Sequence, residues 1–285
     1  MKITQLNIYP MKSARAVALE QALCTPAGLQ GDRQAMLCTP EGMFITQRDL
    51  PALAKVSVVS LGNSTIRLSA DGLEPVVALP DAERDRINVN IWKDTVSAAS
   101  ASAEADEALS NWFNRPVRLC FFDEHSRRIA SRDWTSHDTP VGFADGFQIL
   151  VTTTGSLAAL NEDLEKHGAA PVGMDRFRPN IVLDCDDAWA EDSWSGIEVS
   201  GLTLEFVKPC ARCIMTTQDQ FSGSRSGANP MPAMGRLRMS ADRRAPGPLF
   251  GWNAVPHGER LLRLGDEASV TGLRSEKWPL KRRTA

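Results

Sequence analysis

The sequence predicts a β-rich α+β chain in two domains. Three observations carry this reading. Most periodic segments are short, rich in apolar or β-branched residues and punctuated by Gly or Pro. Only two segments repeat apolar residues at helical spacing. A length of 285 residues suffices for two cores of ordinary size.

In the first half, residues 3–9, 17–24, 34–38, 55–61, 65–69 and 88–92 read as strands of a small barrel or sandwich. A helix follows over 103–113, because Ala105, Leu109, Trp112 and Phe113 share one helical face. Residues 117–122 form another strand. The polar, aperiodic run Asp123 to Asp133 then separates a first domain, 1–122, from a second, 123–275.

In the second domain, 147–152 read as a strand and 154–166 as a helix with Leu157, Leu160 and Leu164 on one face. A strand at 180–183 precedes two more, 196–200 and 202–207, joined across Gly201. These deliver a Cys-x-x-Cys pair, Cys210 and Cys213. Residues 218–248, rich in Gly and Pro and lacking a period, read as a long loop near that pair. Two closing strands flank Leu264-Gly-Asp266, and 276–285 form a basic tail expected to be solvated and frayed.

Composition excludes several classes. A net charge of −3 gives no electrostatic basis for binding nucleic acid. No run approaches the ~20 apolar residues of a membrane-spanning helix, and the alternating start Met1 to Tyr9 does not resemble a signal peptide. Six cysteines without a disulfide-framework spacing fit reduced thiols, hence a cytoplasmic location.

The cysteine pair is the strongest chemical signal. A thiolate binds soft metals and attacks electrophiles, and neighbouring cations favour it, so Lys208 and Arg212 are expected to lower both thiol pKa values. The spacing alone fits half a zinc site, a redox dithiol, a structural pair or a ligand for another soft metal. Against zinc, the other four cysteines are solitary and His125, His137, His167 and His257 neither cluster nor repeat at short spacing. Against a thioredoxin-type dithiol, Ile214-Met-Thr-Thr217 does not open an obvious helix.

Seven segments, taken together and in order, carry a resemblance. They are Tyr9-Pro-Met-Lys-Ser13, Gly31-Asp-Arg33, Phe44-Ile-Thr-Gln-Arg48, Asp175-Arg-Phe-Arg-Pro-Asn180, Trp189 to Trp194, Lys208 to Thr217 and Leu264-Gly-Asp266. The chain thereby resembles the MOSC family with its N-terminal β-barrel domain, among the members that reduce amidoximes or confer resistance to hydroxylaminopurines. That resemblance implies a second β-barrel domain with peripheral helices. It also implies molybdenum cofactor (molybdopterin), with Cys213 as the metal ligand and catalytic residue. Lys12, Ser13, Arg33 and Arg48 would contact the cofactor from the first domain, and Thr153, Arg178, Asn180, Arg212 and Thr217 from the second. Cations and polar groups suit the cofactor's phosphate and pterin. Singly, an Arg beside an Asp, as in Asp32-Arg33 or Asp175-Arg176, reads as an ion pair, and Trp189 and Trp194 read as packing residues.

The implied reaction is oxygen-atom transfer from a small N-hydroxylated substrate to reduced molybdenum. No cysteine follows Cys213, so the chain is expected to carry no iron–sulfur cluster. A separate electron donor follows: a ferredoxin, a flavodoxin, or a cytochrome with its reductase. The alternative is a non-catalytic carrier of cofactor or sulfur through Cys213. The loop 218–248 lacks the Val-Asp-Pro that usually follows the family's threonines.

Overall fold

In the computed structural model, which describes residues 1–281, the chain opens with β1 (Ile3–Ile8), whose Ile3 and Leu6 are buried. Next come β2 (Val17–Leu19), β3 (Gln21–Thr25), β4 (Gly28–Leu29) and β5 (Ala35–Cys38). The first half continues through β6 (Ser57–Gly62), β7 (Thr65–Ser69), β8 (Val76–Ala78), β9 (Ile87–Ile91) and β10 (Asp94–Ser100). It ends with helix α1 (Ala103–Phe113) and β11 (Arg118–Phe121). The second half holds β12 (Ile149–Thr153), α2 (Thr154–Lys166), β13 (Ile181–Leu183), β14 (Trp194–Val199) and β15 (Leu202–Ala211). It closes with α3 (Met231–Arg238), β16 (Leu249–His257), β17 (Arg260–Arg263) and β18 (Ala268–Leu273).

The helices form where local chemistry favours them. The Ser102 side chain accepts a hydrogen bond from the Ala105 amide and so caps α1, while Asn114 ends that helix in the left-handed conformation. Thr153 caps α2 by accepting from the Ser156 amide. Between β14 and β15, Ser200 and Gly201 both have positive φ, 51° and 81°, as a tight two-residue hairpin requires.

An eight-stranded sheet forms the centre, in the order β18-β14-β15-β16-β12-β13-β1-β2. The β12–β13 pair is parallel; its other pairings are antiparallel. Smaller sheets are β5-β11-β10-β9, β17-β3-β4 and β6-β7-β8. The β-rich α+β expectation therefore holds. Its linear division at 122 does not partition the sheets, however, since β1 and β2 pair with the second domain's sheet and β3 pairs with β17. One core cluster accordingly mixes Ile3, Leu6, Cys24 and Leu29 with Val151, Leu183, Leu204 and Trp252.

Several segments differ from expectation: the short strands β4 and β8 and the longer β10 are absent from the sequence reading, and three further differences bear on the site or its surroundings. The loop 218–248 contains helix α3, which buries Ala233 and Met234 against α2 and β16. Strand β16 is absent from the sequence reading because Gly251 and Pro256 interrupt its pattern, yet it lies between β12 and β15. The basic tail, far from frayed, is docked as far as residue 281: Trp278 donates from its indole nitrogen to the Ser240 hydroxyl at 3.0 Å and packs against Trp134 and Trp252. Residues 282–285 of that tail lie outside the described residues. Among the described residues, no helix is long and apolar enough to cross a membrane.

Candidate active site

Two bulges aim the cysteine pair. The register of β15 against β16 slips between Phe206 and Lys208, and again between Pro209 and Ala211, where Gly251 sits at φ +76°. Beyond the second slip the Arg212 amide bonds the Pro248 carbonyl at 2.7 Å, ending the ladder. Cys213 then stands before a short 3-10 turn, Ile214–Thr217, with its side chain exposed. Cys210 is half-buried, with a guanidinium nitrogen of Arg212 2.8 Å from its sulfur. The cations around the pair are thus unequally shared: Arg212 serves Cys210, and the Lys208 ammonium lies 4.9 Å from the centre of the Trp134 ring.

A cavity of about 330 Å³ opens beside this turn, between the two halves of the chain. Lys12, Arg33 and Arg48 line it from the first half, and Arg176, Arg178, Lys208 and Arg212 from the second. Among the described residues, Asp145 is the one carboxylate that lines the cavity with these seven cations; Asp32 and Asp219 pair with two of them from outside the lining. Cys210, Cys213, Ser13, Thr46, Asn180, Asn253 and Trp92 complete the side chains of chemical interest. Of the expected site residues, eight therefore converge: Lys12, Ser13, Arg33, Arg48, Arg178, Asn180, Arg212 and Cys213.

Thr153 and Thr217 do not line it. The Thr153 hydroxyl is spent on capping α2 and on the buried Glu191 carboxylate, which it meets at 3.1 Å. Burial raises the Glu191 pKa, and the hydroxyls of Ser156 and Thr153 partly offset that rise. Thr217 donates its hydroxyl to the Ile214 carbonyl within the 3-10 turn, while its own carbonyl accepts from Arg176.

The cations are held in place by protein groups. Lys12 donates to the Phe143 carbonyl at 2.8 Å and pairs with Asp145 at 2.5 Å. Burial lowers its pKa, against the pull of Asp145. The Asp145 side chain is 66% exposed, at the cavity mouth. Crowding by protein acts to raise its pKa, but Lys12, Arg33 and Arg48 outweigh this and hold the carboxyl well below the usual range. Arg33 pairs with Asp32, as its sequence neighbour suggests, and still reaches the cavity. Arg176, by contrast, pairs with Asp219 at 3.4 Å and grips the carbonyls of Thr217 and Ala228.

Tyr9 is the hub beneath the arginines. The guanidiniums of Arg33 and Arg178 lie 4.4 and 4.1 Å from its ring centre, and its hydroxyl donates to the Pro179 carbonyl at 3.1 Å. Burial pushes the Tyr9 pKa up to about 12, and burial brings Arg178 down to about 10. Arg178 also donates to Gln220, which exchanges amide bonds with Gln47, which in turn donates to the Ser13 carbonyl. Ser13, Arg33, Trp92 and Arg178 all adopt positive φ, between 50° and 68°. Four strained non-glycine residues around one cavity are a mark of a functional site.

Sequence reasoning missed Arg176, read as half of an ion pair, and Asp145 and Trp92, which lie outside the motif segments. The signal for Trp92 is its place at the turn between β9 and β10.

Among the described residues no three His, Cys, Asp or Glu side chains converge as metal ligands. A metal held at Cys213 would bring its remaining ligands with it. The donor set suits an anionic, polar group carrying such a metal: the cavity is cationic, the Arg212 Nε is buried without a partner, and Cys213 offers an exposed sulfur at the rim.

Comparison with known proteins agrees with this architecture. The family model for the MOSC N-terminal beta barrel domain matches residues 1–116, and that for the MOSC domain matches residues 138–269. Mitochondrial amidoxime-reducing component 1 of Homo sapiens is 30% identical over 290 aligned positions, covering 95% of this chain and 83% of that protein. The component 1 protein of Xenopus laevis is 28% identical over 93% of this chain and 80% of its own length. Component 2 of Homo sapiens is 27% identical over 93% and 82%. Among solved structures, the YUAD protein of Bacillus subtilis aligns over 94% of this chain and 93% of its own at 12% identity and a TM-score of 0.39. With both halves matched and relatives aligned over most of their length, the chain belongs to the MOSC family, in the form that carries an N-terminal β-barrel domain.

Proposed function

We propose that the cavity binds molybdenum cofactor and that the chain reduces small N-hydroxylated compounds, such as amidoximes, to the corresponding N–H compounds. The observation that carries this reading is a cavity lined by seven cations and a single carboxylate beside the exposed Cys213 thiol. The relatives named as amidoxime-reducing components support the substrate class.

In this reading Arg33, Arg178, Arg212 and Arg176 hold the anionic part of the cofactor, Asn180 and Asn253 meet its hydrogen-bonding edges, and Cys213 ligates the metal. Bound there, the cofactor supplies two-electron acceptance of an oxygen atom. The balance is R–NHOH, or its oxime form, plus two protons and two electrons, giving R–NH₂, or the imine form, plus water. A separate one-electron carrier provides the electrons, and solvent reaching the open mouth provides the protons. Lys12 and Asp145 hold each other in the wall, so that one negative charge stands at the mouth among the cations.

The test is molybdenum per chain by elemental analysis, on protein made in a host that synthesises the cofactor, alongside benzamidoxime reduction driven by a chemically reduced dye. Near-stoichiometric metal and turnover are expected in the parent protein, with both lost in Cys213→Ser and metal retained in Cys210→Ser. Absence of metal in the parent, with a persulfide found on Cys213, replaces this reading by that of a sulfur carrier.

A further inference from the structure

Trp92 sits where the backbone least favours it. It is the first residue of the two-residue loop between β9 and β10, whose flanking partners are Ile91 and Asp94. Its φ is +56°, a value that glycine normally supplies at the first central position of such a loop. Nor does packing explain the choice: the residue is 52% exposed, on the wall of the cavity that holds Cys210 and Cys213. A large aromatic group kept half in solvent on a strained turn breaks a local rule, and such residues collect at functional sites.

The ring is nevertheless fixed. Phe44 lies against it with ring centres 5.2 Å apart, and the Arg48 guanidinium stacks 4.6 Å from its centre. Phe44 is delivered by a loop that approaches β9 so closely that a Cβ on Gly42 would fall 2.2 Å from the Asn88 carbonyl oxygen. On the other side of the turn, Asp94 pairs with the buried Arg128 at 2.8 Å, and Arg128 also grips the carbonyls of Gly142, Ala144 and Asp145. One arginine therefore ties the Trp92 turn to the Asp145 wall of the cavity.

We propose that Trp92 is the aromatic wall of the substrate subsite and makes this chain select N-hydroxylated compounds whose N–OH group is carried on a planar aromatic frame. A flat ring entering the mouth stacks on the exposed indole, while the N–OH group points inward toward the Cys213 side. An uncharged aryl amidoxime enters this cationic cavity without the penalty that a cationic ligand meets. The inference rests on the reductase reading and is separable from it.

The experiment compares kcat/KM for benzamidoxime and acetamidoxime in the parent protein, Trp92→Ala and Trp92→Phe. It is paired with calorimetric binding of benzamidoxime to the metal-free protein and with thermal melts of each variant. Loss of one stacking partner is expected to lower the aryl-to-alkyl ratio about tenfold in Trp92→Ala, through KM more than kcat, with weaker calorimetric binding to match. Trp92→Phe should restore most of the ratio. An unchanged ratio, or equal losses on both substrates in a variant that melts normally, overturns the proposal while leaving reduction itself intact. If the parent reduces neither compound the reductase reading fails, and calorimetry alone decides Trp92: binding weakened in Trp92→Ala upholds the wall, and unchanged or absent binding overturns it.

Discussion

Tyr9 is the only tyrosine in the chain, which turns a buried structural residue into a spectroscopic one. Its phenol stays neutral because burial pushes its pKa up to about 12, against 10.0 for the free side chain. The folded state therefore binds the proton more tightly than the unfolded state. The stabilisation is fully present below pH 10 and is lost as pH rises from there through about 12, an effect on the order of 2 to 3 kcal/mol. Two outcomes follow. Absorbance at 295 nm of the native protein should show no phenolate midpoint near 10; finding one there refutes the picture. Urea unfolding at pH 8 and 11 should show Tyr9→Phe losing about 1 kcal/mol less than the parent over that interval. At this scale the sequence was partly readable. The motif residues Lys12, Arg33, Arg178 and Cys213 converge, because each motif carries its own turn and its own cation. Thr153 was misplaced because a threonine before a helix serves the cap first, and which of its partners wins depends on Glu191, 38 residues away. Trp92 was missed because its peculiarity is a backbone angle that composition does not reveal.

At the scale of elements, both long helices and most strands lie where periodicity places them. Strand β16 does not, and its two breakers explain why: Gly251 is needed for the bend that ends the β15 pairing, and Pro256 falls near the end of the strand. A Cβ on Gly251 would stand 2.7 Å from the Thr152 methyl and 2.8 Å from the Val151 carbonyl oxygen, at a φ of +76°. Gly251→Ala is therefore expected to cost more than about 2 kcal/mol. The damage should reach the site, because the segment that follows β15 is tied down by the bond from the Arg212 amide to Pro248, at the head of β16. Gly265 provides the control: its φ is +84° but no atom lies within 4 Å of its Cβ position, so Gly265→Ala should cost only about 1 kcal/mol. Thermal melts and metal content of the two variants test this together. Equal losses of metal in both would mean that the bend does not position the cysteines. Helix α3 was invisible for another reason: its apolar side faces α2 and β16, and eight residues that themselves include Pro232 and Gly235 give too short and broken a period to detect.

The whole molecule is less divisible than its two family matches suggest. The second half does not complete its strand pairing alone, because β13 takes β1 as its second neighbour and β17 pairs with β3. Ile3, Leu6 and Leu29 are each at most 2% exposed in a cluster otherwise built largely from the second half. Burying three such side chains contributes roughly 5 to 9 kcal/mol, comparable with the entire stability of an ordinary domain. Residues 123–281 alone should therefore fail to unfold cooperatively and should aggregate through the bare β13 edge. Joining residues 1–31 to them by a flexible linker long enough to span the gap should restore a cooperative urea transition, since β1 to β4 then refill both sheets. Cooperative unfolding of 123–281 by itself sinks this account. The rejoined chain would still lack Arg33, Arg48 and Trp92, and so one wall of the cavity. In a chain of net charge −3, the seven cations of the cavity are drawn from both halves, three from the first and four from the second. The interleaving of strands that makes the second half dependent on the first is what keeps those two sets of cations in register.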